Sequence, residues 1–281
     1  MAVTNGWGQG VENNTIDWGK GSTNNSNNWG SVYGSSAAGD TLLSAASFSN
    51  TYSTEYDGVD DYVETNSTYT ELDGDSKITV SAWIKVEATT DTLSYLCTTS
   101  GGSNFQLGIR LQTTTSTTCW VYVDSASNKN RTSANLGAIK NDGQWHHLLV
   151  CLDLSLPGFS ECQIYLDSVA KTMTGFYQAT TLPNSTSKLH IGTRASSLSS
   201  VFGGKIDEFA IWSGQDFRTQ SDVDTIYNSG VPNDLNSNGL TAPTTWYRFE
   251  EGSGTTATDS GSGGNNGTLI NGTAFSTDVP T

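Results

Sequence analysis

The chain has 281 residues, enough to bury a core as one large domain or two small ones. Ser, Thr, Gly and Asn dominate it, and 28 Asp and Glu outweigh 13 Lys and Arg to leave a formal net charge of −15. Such a charge repels phosphate backbones and anionic lipids, which argues against nucleic acid and membrane surfaces as partners. No apolar run reaches membrane-spanning length.

The first element in chain order is a repeat. Residues 7–30 read WGQGVENNTIDWGKGSTNNSNNWG, with Trp7, Trp18 and Trp29 at a period of eleven residues, each followed by Gly. Three indole rings set in Gly and Asn bury too little for a core of their own, yet each carries a large apolar payload. Residues 1–41 therefore read as an extended arm awaiting a partner surface. The opening MAVTNGWGQG lacks the basic start and apolar stretch of a secretory leader, so synthesis in a cytosol is expected. The W-G-x-G-x-x-N-N pattern resembles the N-termini of tail-fibre and other structural proteins of tailed bacteriophages. That resemblance implies a virion protein, anchored to other virion proteins through Trp7, Trp18 and Trp29 and assembled as a homo-oligomer. Its place would be head decoration, head fibre or tail fibre.

From residue 42 the pattern changes to short strands divided by turns. Ile78, Val80, Ala82 and Ile84 alternate with Lys77, Thr79, Ser81 and Trp83, the period-two signature of a half-buried strand. FQLGIRLQ, TTCWVYVD, QWHHLLVCLDLS and GGKIDEFAIWSG read the same way. One helix is predicted over 219–229, capped by Ser221, with Val223, Ile226 and Tyr227 on one face and Gly230 as its stop. Ten or more strands and one trailing helix predict an all-β fold, a two-sheet antiparallel jelly-roll sandwich. Cys97, Cys119, Cys151 and Cys162 lie in apolar runs without a Cys/His cluster, so they read as buried free thiols rather than zinc ligands. A disulfide between Cys151 and Cys162 across a hairpin is the alternative. His146 and His147, adjacent in a strand, should point to opposite faces.

Seven segments carry a second resemblance: YDGVDDYVE (56–64), ITVSAWIKVE (78–87), QWHHLLVCLD (144–153), QIYLDSVAKT (163–172), LHIGTR (189–194), GGKIDEFAIW (203–212) and WYRFEEGSGTTATDSGSGGNNGTL (246–269). Together they resemble the laminin-G-like branch of the concanavalin-A-like jelly rolls. The last segment comes first in that family, so the order here resembles a circular permutation. It predicts one domain over 42–281, including the permuted segment 244–281, with WYRFEE (246–251) antiparallel beside KIDEFAIW (205–212). The alternative is that 244–281 opens a second, truncated domain.

The resemblance also frames the chemistry. Laminarinase-like hydrolases of this fold carry E-x-D-x-x-E on a cleft-facing strand. Here Glu55, Asp57 and Asp60, and likewise Glu71, Asp73 and Asp75, sit in turn-like sequence, so the chain is not expected to be an enzyme. The resemblance implies a structural calcium near Asp207, with oxygens from Asp57, Gly58, Asp60 and Glu250. Glycan adhesion falls to Trp120 and Tyr122, which alternate on one strand and so share a face, with Trp83 and Tyr95 as further contributors. The reading is a bacteriophage virion structural protein displaying a glycan-adhesive jelly roll. A free carbohydrate-binding protein, or a glycoside hydrolase of the same fold, is the alternative.

Overall fold

The computed structural model describes residues 48–87, 93–101, 104–125, 128–176, 180–194, 197 and 199–281. The expectations placed on the 1–41 arm and on Trp7, Trp18 and Trp29 lie outside the described residues. Among the described residues, seventeen strands follow in chain order. They are β1 (Ser53–Asp57), β2 (Tyr62–Thr65), β3 (Lys77–Val86), β4 (Leu93–Gly101), β5 (Asn104–Thr113), β6 (Thr117–Ser125), β7 (Asn128–Gly137), β8 (His146–Asp153) and β9 (Cys162–Leu166). After these come β10 (Val169–Ala170), β11 (Met173–Phe176), β12 (His190–Ile191), β13 (Gly203–Ser213), β14 (Thr245–Tyr247), β15 (Thr256–Ala257), β16 (Gly267–Ile270) and β17 (Ala274–Ser276).

The strands form two sheets whose pairings are antiparallel. An eight-stranded sheet runs β10-β9-β8-β3-β13-β1-β17, with β14 also on β13, and a nine-stranded sheet runs β11-β7-β6-β5-β4-β12-β2-β16-β15. The core lies between them, built from the alternate residues the sequence marks out. Ile78, Val80, Ala82, Ile84, Leu148, Val150 and Leu152 come from one sheet, and Leu107, Ile109, Leu111, Cys119, Val121 and Val123 from the other. The expected all-β sandwich is the fold observed.

The C-terminal segment supplies strands to both sheets. β14 pairs antiparallel with β13, Trp246 opposite Ala210 and Tyr247 opposite Phe209, while β16 pairs with β2 and β17 with β1. β13 can hold both β1 and β14 on one edge because it is bulged. Its register to β3 shifts between Asp207 and Ala210, and Glu208 takes a left-handed φ of 47°. β1 occupies the first half of β13 and β14 the second.

The helix, α1 (Gln220–Tyr227), is capped by Thr219, not Ser221: the Thr219 hydroxyl accepts from the Asp222 N–H at 3.3 Å. It ends at Tyr227, three residues before Gly230, because Asn228 already adopts the left-handed conformation at φ 47°. Val223 and Ile226 are buried, and Tyr227 stacks on Trp83 with ring centroids 5.9 Å apart. The helix thus covers the outer face of the eight-stranded sheet. The four cysteines are free and buried. Cys162 stands opposite Leu152 rather than Cys151, so the two thiols lie on opposite faces of the sheet and the alternative disulfide does not form.

Candidate functional site

The outer face of the nine-stranded sheet is built from the residues that the core alternation leaves over. With Leu107, Ile109 and Leu111 inward, β5 presents Arg110 and Gln112 outward, and with Cys119, Val121 and Val123 inward, β6 presents Trp120 and Tyr122. The register sets Arg110 opposite Trp120 on one side and opposite Tyr95 on the other. Trp120 and Tyr122, both half-buried, are near parallel, with centroids 6.5 Å apart at 26°. Tyr122 also meets Phe105 at 5.7 Å and Tyr95 at 6.5 Å, so four rings form one continuous strip. The Arg110 guanidinium lies over this strip, 5.0 Å from the Tyr122 centroid and 5.8 Å from that of Trp120. Arg194 lies over Phe105 at 5.1 Å. The indole N–H of Trp120 donates to Gln112 Oε1 at 3.1 Å, fixing the ring. Gly108 stands opposite Tyr122, and a side chain there would meet the Phe105 ring at 3.4 Å.

The expected aromatics therefore divide. Trp120 and Tyr122 share a face, as their alternation requires, and Tyr95 joins them as a buried wall. Trp83 does not: it belongs to the other sheet, is 4 % exposed and lies beneath Tyr227. Arg110 and Phe105, which sequence reasoning passed over, complete the strip. The alternation in FQLGIRLQ puts Arg110 on the outward face, but only the cross-strand register shows that it meets Trp120.

The expected calcium ligands also divide. Asp57, Asp60 and Asp61 bring carboxylate oxygens within 4.8 Å of one another at the end of β1. Asp57 and Asp60 are exposed and Asp61 is buried. Asp57 Oδ1 accepts from Val59 N–H at 2.7 Å, closing the turn through Gly58. Asp61 accepts from the N–H groups of Asp57 at 2.9 Å and Gly272 at 2.6 Å. A side chain at Gly272 would stand 2.8 Å from Asp61 Oδ1, so glycine is what allows that approach. Burial pushes the Asp61 carboxyl above its ordinary range, against the lowering effect of those two hydrogen bonds. None of the three has an ion-pair partner among the described residues. A compact, uncompensated set of hard oxygen donors fits a cation of the calcium class.

Asp207 and Glu250 are not part of this set. Asp57 stands opposite Gly203, four residues along β13 from Asp207, a separation of roughly 13 Å at strand rise. No single ion spans that distance. Asp207 is buried and accepts from Asn50 at 2.9 Å and from the Glu208 N–H at 2.8 Å. Glu208 accepts from Trp246 Nε1 at 2.6 Å and Arg248 Nε at 3.3 Å. Glu250 accepts from the N–H groups of Thr51 and Tyr52 at 2.8 and 3.1 Å. These acids tie the C-terminal segment to β13 and to the start of β1. Burial pushes both Asp207 and Glu208 up, Glu208 to about 8. Asp61, adjacent in the same turn, is the candidate ligand that sequence reasoning missed.

Glu55, Asp57 and Asp60 are exposed around this turn. Asp73 Oδ1 accepts from Gln106 Nε2 and from Ser185 N–H, both at 2.7 Å, while Asp75 Oδ2 accepts from the Ser213 hydroxyl at 2.6 Å.

Two antiparallel sheets packed face to face define a jelly-roll sandwich. Residues 57–224 match the laminin-G-type model of the concanavalin A-like lectin/glucanases superfamily, more than half of the chain, and the chain belongs to that family. No curated protein sequence matches it. Among solved structures, the chain is similar to a native heptameric SAP-like pentraxin from Limulus polyphemus. That likeness has 13 % identity and a TM-score of 0.50, and covers 63 % of this chain and 82 % of the pentraxin. Domains LG4-5 of the mouse laminin alpha1 chain align at 11 % identity and TM-score 0.43, covering 57 % of this chain and 40 % of theirs. Tailspike protein 2 of an Escherichia coli O157:H7 bacteriophage aligns at 16 % identity and TM-score 0.40, covering 58 % of this chain and 22 % of its own. At these identities the likeness is one of fold.

Proposed function

We propose that the chain is a carbohydrate-binding structural protein of a bacteriophage particle. The observation that carries the binding reading is the half-buried Trp120–Tyr122 pair, near parallel on the outer face of a sheet in a lectin/glucanase-type sandwich. Flat aromatic faces stack on the C–H faces of pyranose rings, and the neighbouring Gln112 offers an amide to hydroxyls. The particle reading rests on the Trp-Gly repeat at residues 7–30 and its resemblance to tailed-phage structural proteins. The arm joins the chain to other virion proteins and to copies of itself, and many copies make weak glycan sites sufficient through avidity. The protein binds without cleaving. The Asp57–Asp60–Asp61 turn holds a calcium ion that stiffens the end of β1.

A glycan array probed with the full chain tests the binding reading. Trp120→Ala and Tyr122→Ala should each abolish retention on the sugars the native chain holds, with the melting temperature nearly unchanged. Retention unaffected by both changes would remove the site. Mass spectrometry of purified particles tests the particle reading, since the chain should be found in them. Recovery solely in the soluble fraction would favour a free lectin.

A further inference from the structure

Two of the four arginines whose side chains are described find carboxylates. Among those whose side chains are described, Arg218 pairs with Asp216 at 2.5 Å and Arg248 with Glu208 at 3.3 Å. Arg110 and Arg194 are different. Neither has an ion-pair partner among the described residues, and the Nε of each is buried without a hydrogen-bond partner. Both are the arginines of the aromatic strip, held by ring faces alone. Leaving a buried donor unmade is costly, and a chain with 28 carboxylates has had ample means of avoiding it. Stacking occupies the face of a guanidinium and leaves its in-plane N–H donors, whose fork matches a carboxylate.

We propose that the ligand of this face is a carboxylate-bearing sugar, its ring seated on Trp120 and Tyr122 and its carboxylate held by Arg110. The inference deepens the glycan reading above and rests on it. The net charge of −15 repels an anionic sugar at long range, and working salt screens most of that repulsion. The Debye length is about 8 Å at 0.15 M, so the charges adjoining the strip dominate what a bound sugar meets. Arg194, over Phe105, adds a second positive charge along the strip.

The test is isothermal titration of the full chain at 0.15 M salt with four probes. They are an oligogalacturonate, its methyl ester, a glycan ending in N-acetylneuraminic acid, and the same glycan without that residue. The expected result is that at least one acid binds about 10- to 100-fold tighter than its neutral counterpart. The two acidic probes distinguish uronate from sialate as the source of the carboxylate. Arg110→Gln should erase that preference while leaving the weaker neutral affinity, and Arg110→Lys should restore only part of it because an ammonium lacks the fork. Thermal melts of both variants establish that they fold. Equal affinity for acid and neutral forms, or a preference that survives Arg110→Gln, overturns the carboxylate assignment and leaves the glycan reading standing. No binding of any probe or array sugar overturns both.

Discussion

The outer faces of the two sheets are built by the same rule and end differently. On each, a tryptophan stands at an outward position of a central strand: Trp83 on β3 and Trp120 on β6. Over Trp83 the chain lays α1, so that Tyr227 stacks on the indole and His147 fills in beside it at 5.0 Å, hydrogen-bonded through Nε2 to the Ser81 hydroxyl at 2.8 Å. Trp120 keeps a half-buried ring with an arginine over it. An outward aromatic is therefore covered or left half-exposed according to what the rest of the chain places on top of it.

The largest effect that separates the two faces should be on stability. Trp83→Ala removes a covered ring and should cost about 3–5 kcal/mol in chemical denaturation, whereas Trp120→Ala should cost less than about 1 kcal/mol. Similar losses from both would mean that Trp120 is a packing residue too. Next comes the pH response of the covered face. Burial depresses the His147 imidazole to about 4. The unfolded chain takes up this proton near pH 6.5 and the folded chain does not. Stability should therefore fall as pH drops from about 6.5 towards 4, by about 3 kcal/mol at most for this group. His147→Gln should flatten that part of the profile, and an unchanged acid limb would place the group elsewhere.

A third effect concerns the acidic turn. With calcium at about a hundred times its dissociation constant, binding to the folded chain stabilises it by about 2.7 kcal/mol. Chelation should lower the melting temperature of the native chain, and Asp61→Asn should abolish that sensitivity. Asp207→Asn should not, because its carboxyl lies at the other end of the ladder. The smallest effect is at His146, the neighbour of His147 on the opposite side of β8. Asp167 at 2.7 Å, and then Asp142 at 2.9 Å, raise its pKa. Its contribution is full below about pH 6.5 and is lost as pH rises through the elevated folded value. His146→Gln should remove that alkaline slope, opposite in sign to the effect of His147.

Much of this was legible in the sequence because period-two alternation fixes which residues face the core. From it follow the sandwich, the inward Ile78–Ile84 series, the shared face of Trp120 and Tyr122, and the opposed faces of His146 and His147. The antiparallel seat of Trp246 and Tyr247 on β13 was foreseen from the permuted motif order. The N-cap at Thr219 and the stop at Asn228 were missed because Thr, Ser, Asn and Gly all satisfy the same local rules, and only the observed hydrogen bond and dihedral angle choose among them.

Alternation says nothing of what lies across a strand or above a face, since those neighbours come from residues distant in the chain. Register set Arg110 beside Trp120, parted Cys151 from Cys162, and carried Asp207 and Glu250 away from Asp57. The turn through Gly58 and the backbone of Gly272 gathered Asp61 into the carboxylate cluster. The path of α1 decided that Trp83 is covered. The sequence by itself determined which way side chains point along the regular strands; the tertiary structure decided what they meet there, and where bulges turn Tyr95 and Phe105 outward, because contacts between distant segments depend on register and on the seat of the helix, which local periodicity does not encode.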